Sequence, residues 1–341
     1  MSRTLIREGA AGLLLLAVLL VVPWLVNAPA LRDFLVYVIA YGLFAMSLNL
    51  LIGLTGLVAF GHAMFFASGA YMFGLLMQTG MVSIPIGILA AVGGTALLAL
   101  LVGVICVQLK DIYFSFITLA IQMFFYSVIL TWVSLTGGDQ GLQGGIPRPK
   151  FAGIDLNDGP TLYVFCVAMF AVCLAIMRQV WLSPFGATLR LIRDNPTRAG
   201  FLGINVVAVK LGVFVLSGTI ASVGGVILAL FVSGAYPDFG FWTTSGEAIF
   251  MLMLGGTLTF FGPLIGALIL EALNHYIIAF TEYHGLVLGV LILAIALGLR
   301  RGVADWAYAA LSSRRSNGPA EMRPPTPATE LAPQSPTREV A

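Results

Sequence analysis

SPFGATLRLIRDNPTRAGFLGINV, residues 183–206, is the only long polar interruption with a net positive charge inside an otherwise oily chain. It sets Arg190, Arg193 and Arg198 against a single acid, Asp194. Packed helices are usually joined by connections of about 2–8 residues. A charged stretch of this length therefore reads as a docking surface.

Outward from it the chain is apolar. Hydrophobic residues make up 59% and charged residues 9%, where a soluble chain runs at about 25% charged. The composition excludes a soluble globular fold and predicts an all-α polytopic membrane protein. Crossing about 30 Å of hydrocarbon takes about 20 apolar residues per helix. Ten windows qualify, at residues 10–26, 34–54, 57–77, 84–107, 113–135, 161–181, 207–232, 246–259, 263–280 and 286–299. The second and third also read as one broken unit around Gly53, Gly56 and Gly61. The first follows Arg3 and Arg7 in the manner of a signal peptide, but it runs on through Pro23 and Trp24 and further spans follow at once. It is expected to stay as the first membrane helix.

Ten spans place both termini on one side. With the amino terminus inside, 14 of the 17 Lys and Arg residues fall on the cytoplasmic side, leaving Arg32, Arg148 and Lys150 outside. The excess of inner positive charge predicts that both termini and residues 183–206 are cytoplasmic. Residues 1–311 read as the transmembrane domain. Beyond them Pro319, Pro324, Pro325, Pro327, Pro333 and Pro336 crowd a polar segment too poor in apolar surface to order itself, so residues 312–341 are expected to form a disordered cytoplasmic tail. The Gly-rich loop 135–159 reads equally as a solvated connector and as a surface shaped for an external partner.

The chemistry is sparse. There is no G-x-x-x-x-G-K-[ST] to cradle nucleotide phosphates. No His, Cys or carboxylate set has metal-ligand spacing, and no Ser/His/Asp arrangement stands in a recognisable context, so neither a catalytic residue nor a metal site is expected. Cys106, Cys166 and Cys173 sit in apolar runs and read as small buried hydrophobes, while His62, His275 and His284 are scattered. Nothing points to nucleic acid. Glu271 is the one candidate for a functional intramembrane carboxylate, sharing a helical face with Asn274 and His275, with Glu247 at the outer start of the eighth window. Ser47, Thr55, Ser217, Thr219 and Ser222 read as interhelical glue. Asn49 and Gln122 are the expected exceptions, because a buried amide costs more without a purpose. The Gly-rich breaks GLTGLVAFGH (53–62) and GGTLTFFGPLIG (255–266) read as tight turns at the cytoplasmic side, with a matched pair of interrupted helices as the alternative.

Five blocks, in order, resemble the permease family of ABC importers for branched-chain amino acids. They are LNLLIGLTGLVAFGHAMFFASGAY (48–71) with its Gly61-His62 pair, IYFSFITLAIQ (112–122), LTGGDQGLQGGIP (135–147), RLIRDNPTRAGFLGINVVAVKLGVFVLSG (190–218) and LMLGGTLTFFGPLIGALILEAL (252–273). The resemblance implies one permease half of an importer in the bacterial inner membrane. Its partners would be a second, different permease subunit, two cytoplasmic ATPase subunits that use the ATP, an external substrate-binding protein and the surrounding lipid. The chain itself would bind no cofactor.

By that likeness Arg190, Arg193, Asp194, Asn195 and Gly203 belong to the ATPase-coupling loop, while Asn49, Gly61, His62, Thr118, Gln122 and Glu271 are candidates for the substrate path. Asp194 and Asn195 match the family block; Pro196 and Arg198 stand where an acid and an alanine are common. The residues add their own support, since Pro184 and Asn195-Pro196 can start short helices and Gly203 can stop one. Related permeases carry urea, short amides or aromatic acids. The alternatives of another class are an ion-coupled carrier built on Glu271 and His275, and a membrane scaffold without transport.

Overall fold

Helix boundaries fall where the punctuation of the sequence puts them. The computed structural model describes residues 28–280 except 110, 143, 151, 152 and 154, together with 12, 14–21, 23, 285–287, 289, 290, 293, 302, 303 and 305. Both termini, the tail and much of the first and tenth windows lie outside the described residues. The eight windows between them each meet a helix. In chain order the helices are α1 (Pro29–Thr55), α2 (Ala63–Gln78), α3 (Ile84–Cys106), α4 (Asp111–Thr131), α5 (Val133–Thr136), α6 (Gly159–Leu182), α7 (Pro184–Asp194), α8 (Pro196–Phe201), α9 (Val206–Val232), α10 (Trp242–Gly255) and α11 (Gly262–Phe280). Among the described residues there is no strand. Proline occupies the first turn of α1, α3, α6, α7 and α8, where its missing N–H would have had no intrahelical partner.

Five of these helices, α1, α3, α4, α6 and α9, are long and apolar enough to cross a membrane. α1 and α9 are the central pair: each has 27 residues, and 78% of each apolar window is buried, against 28% for α3 and α4. They run antiparallel. α1 ends beside α7, where Arg193 donates a hydrogen bond to the Gly53 carbonyl. α9 ends at the opposite pole, where Arg148 donates to the carbonyls of Leu230 and Phe231. Burial there holds the Arg148 guanidinium below its usual pKa.

The Gly-rich loop belongs to that second pole and is packed down onto it. Leu142 N–H donates to the Ala235 carbonyl at 2.9 Å and Ile146 N–H to the Ser233 carbonyl at 3.0 Å, with both side chains buried. Gln78, at the end of α2, donates to the Gly145 carbonyl at 3.1 Å. The loop is thus a fitted cover over the end of α9.

The third window is corrected by the structure. Its first residues are not helical: α1 stops at Gly56 (φ +74°), whose N–H bonds back to Ile52 while that of Leu57 reaches Leu51, a left-handed cap that glycine adopts without strain. Residues 56–62 then fold back into the bundle before α2 begins. Residues 233–241 do the same from the other pole before α10 begins. The two short helices start close together in the interior, with Ala63 N–H donating to Ser245 Oγ at 2.9 Å and the rings of Phe66 and Phe239 5.9 Å apart. From there α2 runs to the Gly-loop pole and α10 to the polar-loop pole, where Thr257 lies against Gly53.

This is an inverted repeat, α1–α2 answering α9–α10. The counterpart of residues 56–62 is therefore 233–241. The break at 255–266 is the tight turn expected, its hydrogen bonds supplied by Asp305, whose carboxylate accepts from the N–H groups of Leu258 at 3.2 Å and Thr259 at 3.0 Å.

Candidate functional site

An unwound backbone inside a membrane bundle must find its hydrogen bonds in the protein. α4 and α10 supply them. Ser115 Oγ donates to the Val58 carbonyl at 2.6 Å. Gln122 holds the second re-entrant segment, its Nε2 donating to the Gly240 carbonyl at 3.1 Å while its Oε1 accepts from Ser245 Oγ at 2.8 Å, and Ser245 Oγ in turn accepts from Ala63 N–H at the end of the first. Gly61 lies so close to α4 that a Cβ there would come within 2.0 Å of the Thr118 carbonyl oxygen. Gly61, Thr118 and Gln122, scattered in sequence, thus form one clamp on the interrupted helix. Ser115 and Ser245 complete it. Reading the sequence missed these two, since a lone serine in an apolar run carries no signal of its own.

His62 is fully buried and stacks on Phe44 with centroids 5.4 Å apart and planes 13° apart. Its Nε2 is 2.8 Å from Ser47 Oγ and 3.5 Å from Ser217 Oγ. Both hydroxyl hydrogens are already committed, Ser47 to the Phe44 carbonyl at 2.7 Å and Ser217 to the Ser47 carbonyl. Each serine oxygen can then only accept, so the proton belongs on Nε2. Nδ1 is left as a buried acceptor without a partner, as is Asn49 Oδ1. Of the residues expected to bridge helices, Ser217 does so through the Ser47 carbonyl, whereas Thr55, Thr219 and Ser222 turn back onto their own helices, to the carbonyls of Leu51, Val215 and Thr219. The three cysteines are free and buried.

Glu271 stands apart from this cluster. It lines a cavity of about 530 Å³ with Glu247, Asn274, His275, Tyr37 and Tyr41, toward the Gly-loop pole between α1, α10 and α11. Glu271 is thus a candidate path residue with its polar side chain beside open space of ligand size. Asn49, Gly61, His62, Thr118 and Gln122 do not line it.

The polar loop folds as two capped helices. Ser183 Oγ accepts from Gly186 N–H at 3.2 Å to start α7, and Asn195 Oδ1 accepts from Arg198 N–H at 2.9 Å to start α8. Pro196 sits in the first turn of α8, so this departure from the family block costs the helix nothing. Gly203, at φ +81°, ends it. α7 buries Gly186, Leu189 and Ile192 against the bundle. Two of the arginines are also turned to their own chain, Arg193 toward Gly53 and Arg190 toward the Trp181 carbonyl at 3.1 Å, with its guanidinium 5.8 Å from the Trp181 ring centre. Exposed along the loop are Arg190, Arg193, Asp194, Asn195 and Arg198, together with an apolar tip, Phe201 at 87% and Leu202 at 67% exposure. The apolar tip was not read from the sequence, where it is indistinguishable from the start of the next apolar run.

A sequence model of the family described as "Branched-chain amino acid transport system / permease component" matches residues 30–296. The chain is 24% identical over 291 residues to the high-affinity branched-chain amino acid transport system permease protein LivM of Escherichia coli (strain K12), covering 77% of this chain and 67% of that one. It is 28% identical over 280 residues to the corresponding permease protein LivH of the same strain, covering 77% and 90%. A shorter match, 28% over 137 residues and 38% and 41% of the two chains, is to the ribose import permease protein RbsC of Haemophilus influenzae. No solved structure matches.

Proposed function

The chain belongs to the family of permease components of branched-chain amino acid transport systems, and from that premise we propose that it is one membrane-spanning half of an ATP-driven importer for branched-chain amino acids. The inner membrane of a bacterium is its place in this reading, with the polar-loop pole cytoplasmic. A second, different permease subunit completes the path, an external binding protein delivers substrate at the Gly-loop pole, and two separate ATPase subunits use the ATP. The chain contributes no catalytic group and binds no cofactor of its own.

The observation that carries the coupling role is the outward face of α7 and α8. Asp194, Arg198, Phe201 and Leu202 project from a capped, rigid element whose other face is packed on the bundle, which is the form of a surface built to transmit movement. Arg190, Arg193, Asn195 and Gly203 are exposed on the same loop and also shape it: Asn195 and Gly203 bound α8, and Arg193 ties α7 to α1. In the membrane, Gly61, His62, Thr118 and Gln122 hold the interrupted helices in register, and the open cavity at Glu271 is the polar part of the path.

Reconstitution of the chain with its partner permease, ATPases and binding protein tests the reading. Uptake is expected to require ATP hydrolysis, and uptake that persists without ATP would remove it. Glu271→Gln is expected to lower uptake about tenfold while leaving its ATP requirement intact, the cost of losing one charge-assisted contact. An ion-coupled carrier would instead lose its pH dependence in this variant and ignore ATP.

A further inference from the structure

Both arginines that tie α7 to its own chain lead to one short turn, residues 256–261 between α10 and α11. Arg193 donates to the Gly53 carbonyl, and Gly53 lies so near that turn that a Cβ on it would come within 3.0 Å of the Thr257 carbonyl oxygen. Arg190 donates to the Trp181 carbonyl at 3.1 Å and sits over the Trp181 ring. That ring in turn meets the buried Phe260 edge to face, with centroids 5.7 Å apart. Two separate routes therefore run from the polar loop to the same turn. α11, which leaves the turn, carries Glu271 to its cavity.

The turn is held from its other side by residues that follow the last apolar window. Gly302 packs on its start, since a Cβ there would come within 2.2 Å of the Gly256 nitrogen and 2.6 Å of the Gly255 carbonyl carbon. Gly256 stands at φ +103°, and a Cβ on it would come within 2.5 Å of the Asp305 carboxyl carbon. Asp305 is 8% exposed, a burial that a carboxylate bears only when its charge is met. Its two oxygens accept one N–H each, from Thr259 and Leu258. Charge-assisted bonds are about twice as strong as neutral ones, and two on adjacent residues fix the backbone of the turn.

We propose that Asp305 is a positioning residue: it pins the turn 256–261, and the pinned turn is the element that carries movement between the polar loop and the Glu271 cavity. A displacement of α7 reaches α11 only if the turn between them resists it, and a turn free to bend would absorb it. α7 also buries Leu189 and Ile192 against the bundle, so losing the pin loosens the seat of the helix without detaching it. The pin itself stands on geometry alone, while its part in transport rests on the import reading.

Hydrogen exchange of the full-length chain in nanodiscs tests the pin. In Asp305→Asn one acceptor oxygen becomes a donor facing an N–H. The amides of Leu258 and Thr259 and those of α7 are then expected to exchange about tenfold faster, with Leu142 and Ile146 at the opposite pole unchanged. Phe260→Leu removes the ring against Trp181 and leaves Asp305 in place, so it is expected to speed exchange in α7 while Leu258 and Thr259 stay protected. α7 amides that ignore either variant overturn the proposal, and so does an equal rise at Leu142 and Ile146, which would report a change of the whole fold. With ATPases, binding protein and partner permease present, Asp305→Asn is expected to go on hydrolysing ATP while uptake per ATP falls at least about fivefold. Unchanged uptake per ATP beside faster exchange in α7 removes the transmission role. Uptake that needs no ATP in the unaltered chain would instead sink the import reading and leave the exchange result standing.

Discussion

Phe201→Asp is expected to abolish ATP-dependent uptake while the chain still inserts, folds and assembles with its partner permease. Phe201 is 87% exposed and Leu202 67% exposed on the tip of α8, so replacing Phe201 removes no packing from the bundle. What it removes is a large apolar anchor, of the kind that dominates a protein interface when it fills a partner's pocket. Truncating such an anchor costs about 2–4 kcal/mol, or roughly 30- to 1000-fold in affinity at 1.4 kcal/mol per tenfold, and a carboxylate in an apolar pocket costs more. Copurification of the ATPase measures it directly, with thermal unfolding of the purified chain as the control. Full copurification and normal uptake in Phe201→Asp would take α8 out of the docking surface. Arg193→Glu should also impair coupling, but by a different route. It replaces the donor to the Gly53 carbonyl with an acceptor at the negative end of α1, so it is expected to lower thermal stability as well, which Phe201→Asp does not.

The second large effect is expected at Gly61. Gly61→Ala would set a methyl group 2.0 Å from the Thr118 carbonyl oxygen and 2.4 Å from its carbon, and neither atom can swing aside as a side-chain tip does. α4 or the re-entrant segment has to move. Overpacking in a core costs about 1–3 kcal/mol, and a clash against backbone belongs at the upper end. A drop in melting temperature together with loss of uptake is the expected result, and Thr118→Ala should not rescue it because the obstacle is the carbonyl. Gly93→Ala is the matched control: a Cβ there meets nothing within 4 Å, and alanine in an exposed helix is worth about 1 kcal/mol over glycine. Equal behaviour of the two variants would mean that the close approach of Gly61 to α4 is unimportant.

Much of this architecture is legible in the residues themselves. Apolar windows found the helices because burying a polar group in hydrocarbon is costly over any length of chain. Ser183, Pro184, Asn195, Pro196 and Gly203 marked the two short helices of the polar loop, because capping and left-handed turns are local events that need only near neighbours. The site was less legible. Gly61, Thr118 and Gln122 were picked out as path residues, yet they meet Ser115 and Ser245 in a clamp that excludes solvent. Asn49 and Gln122 looked alike as buried amides, but Gln122 satisfies both of its ends and Asn49 Oδ1 has no partner.

The sequence alone determined the class of molecule, the rough place of eight helices, the caps of the polar loop and the family likeness. Each rests on composition, on periodicity or on contacts between residues close in the chain. Only the tertiary structure decided that residues 56–62 leave the helix, that their counterpart is 233–241 and not 255–266, and that Arg190 and Arg193 turn toward their own chain while Phe201 and Leu202 face outward. Hydropathy cannot tell an extended apolar segment from a helical one, since both bury the same side chains. The difference lies in where the backbone finds its hydrogen bonds, and here the partners of Val58, Ala63 and Gly240 lie 57 to 182 residues away.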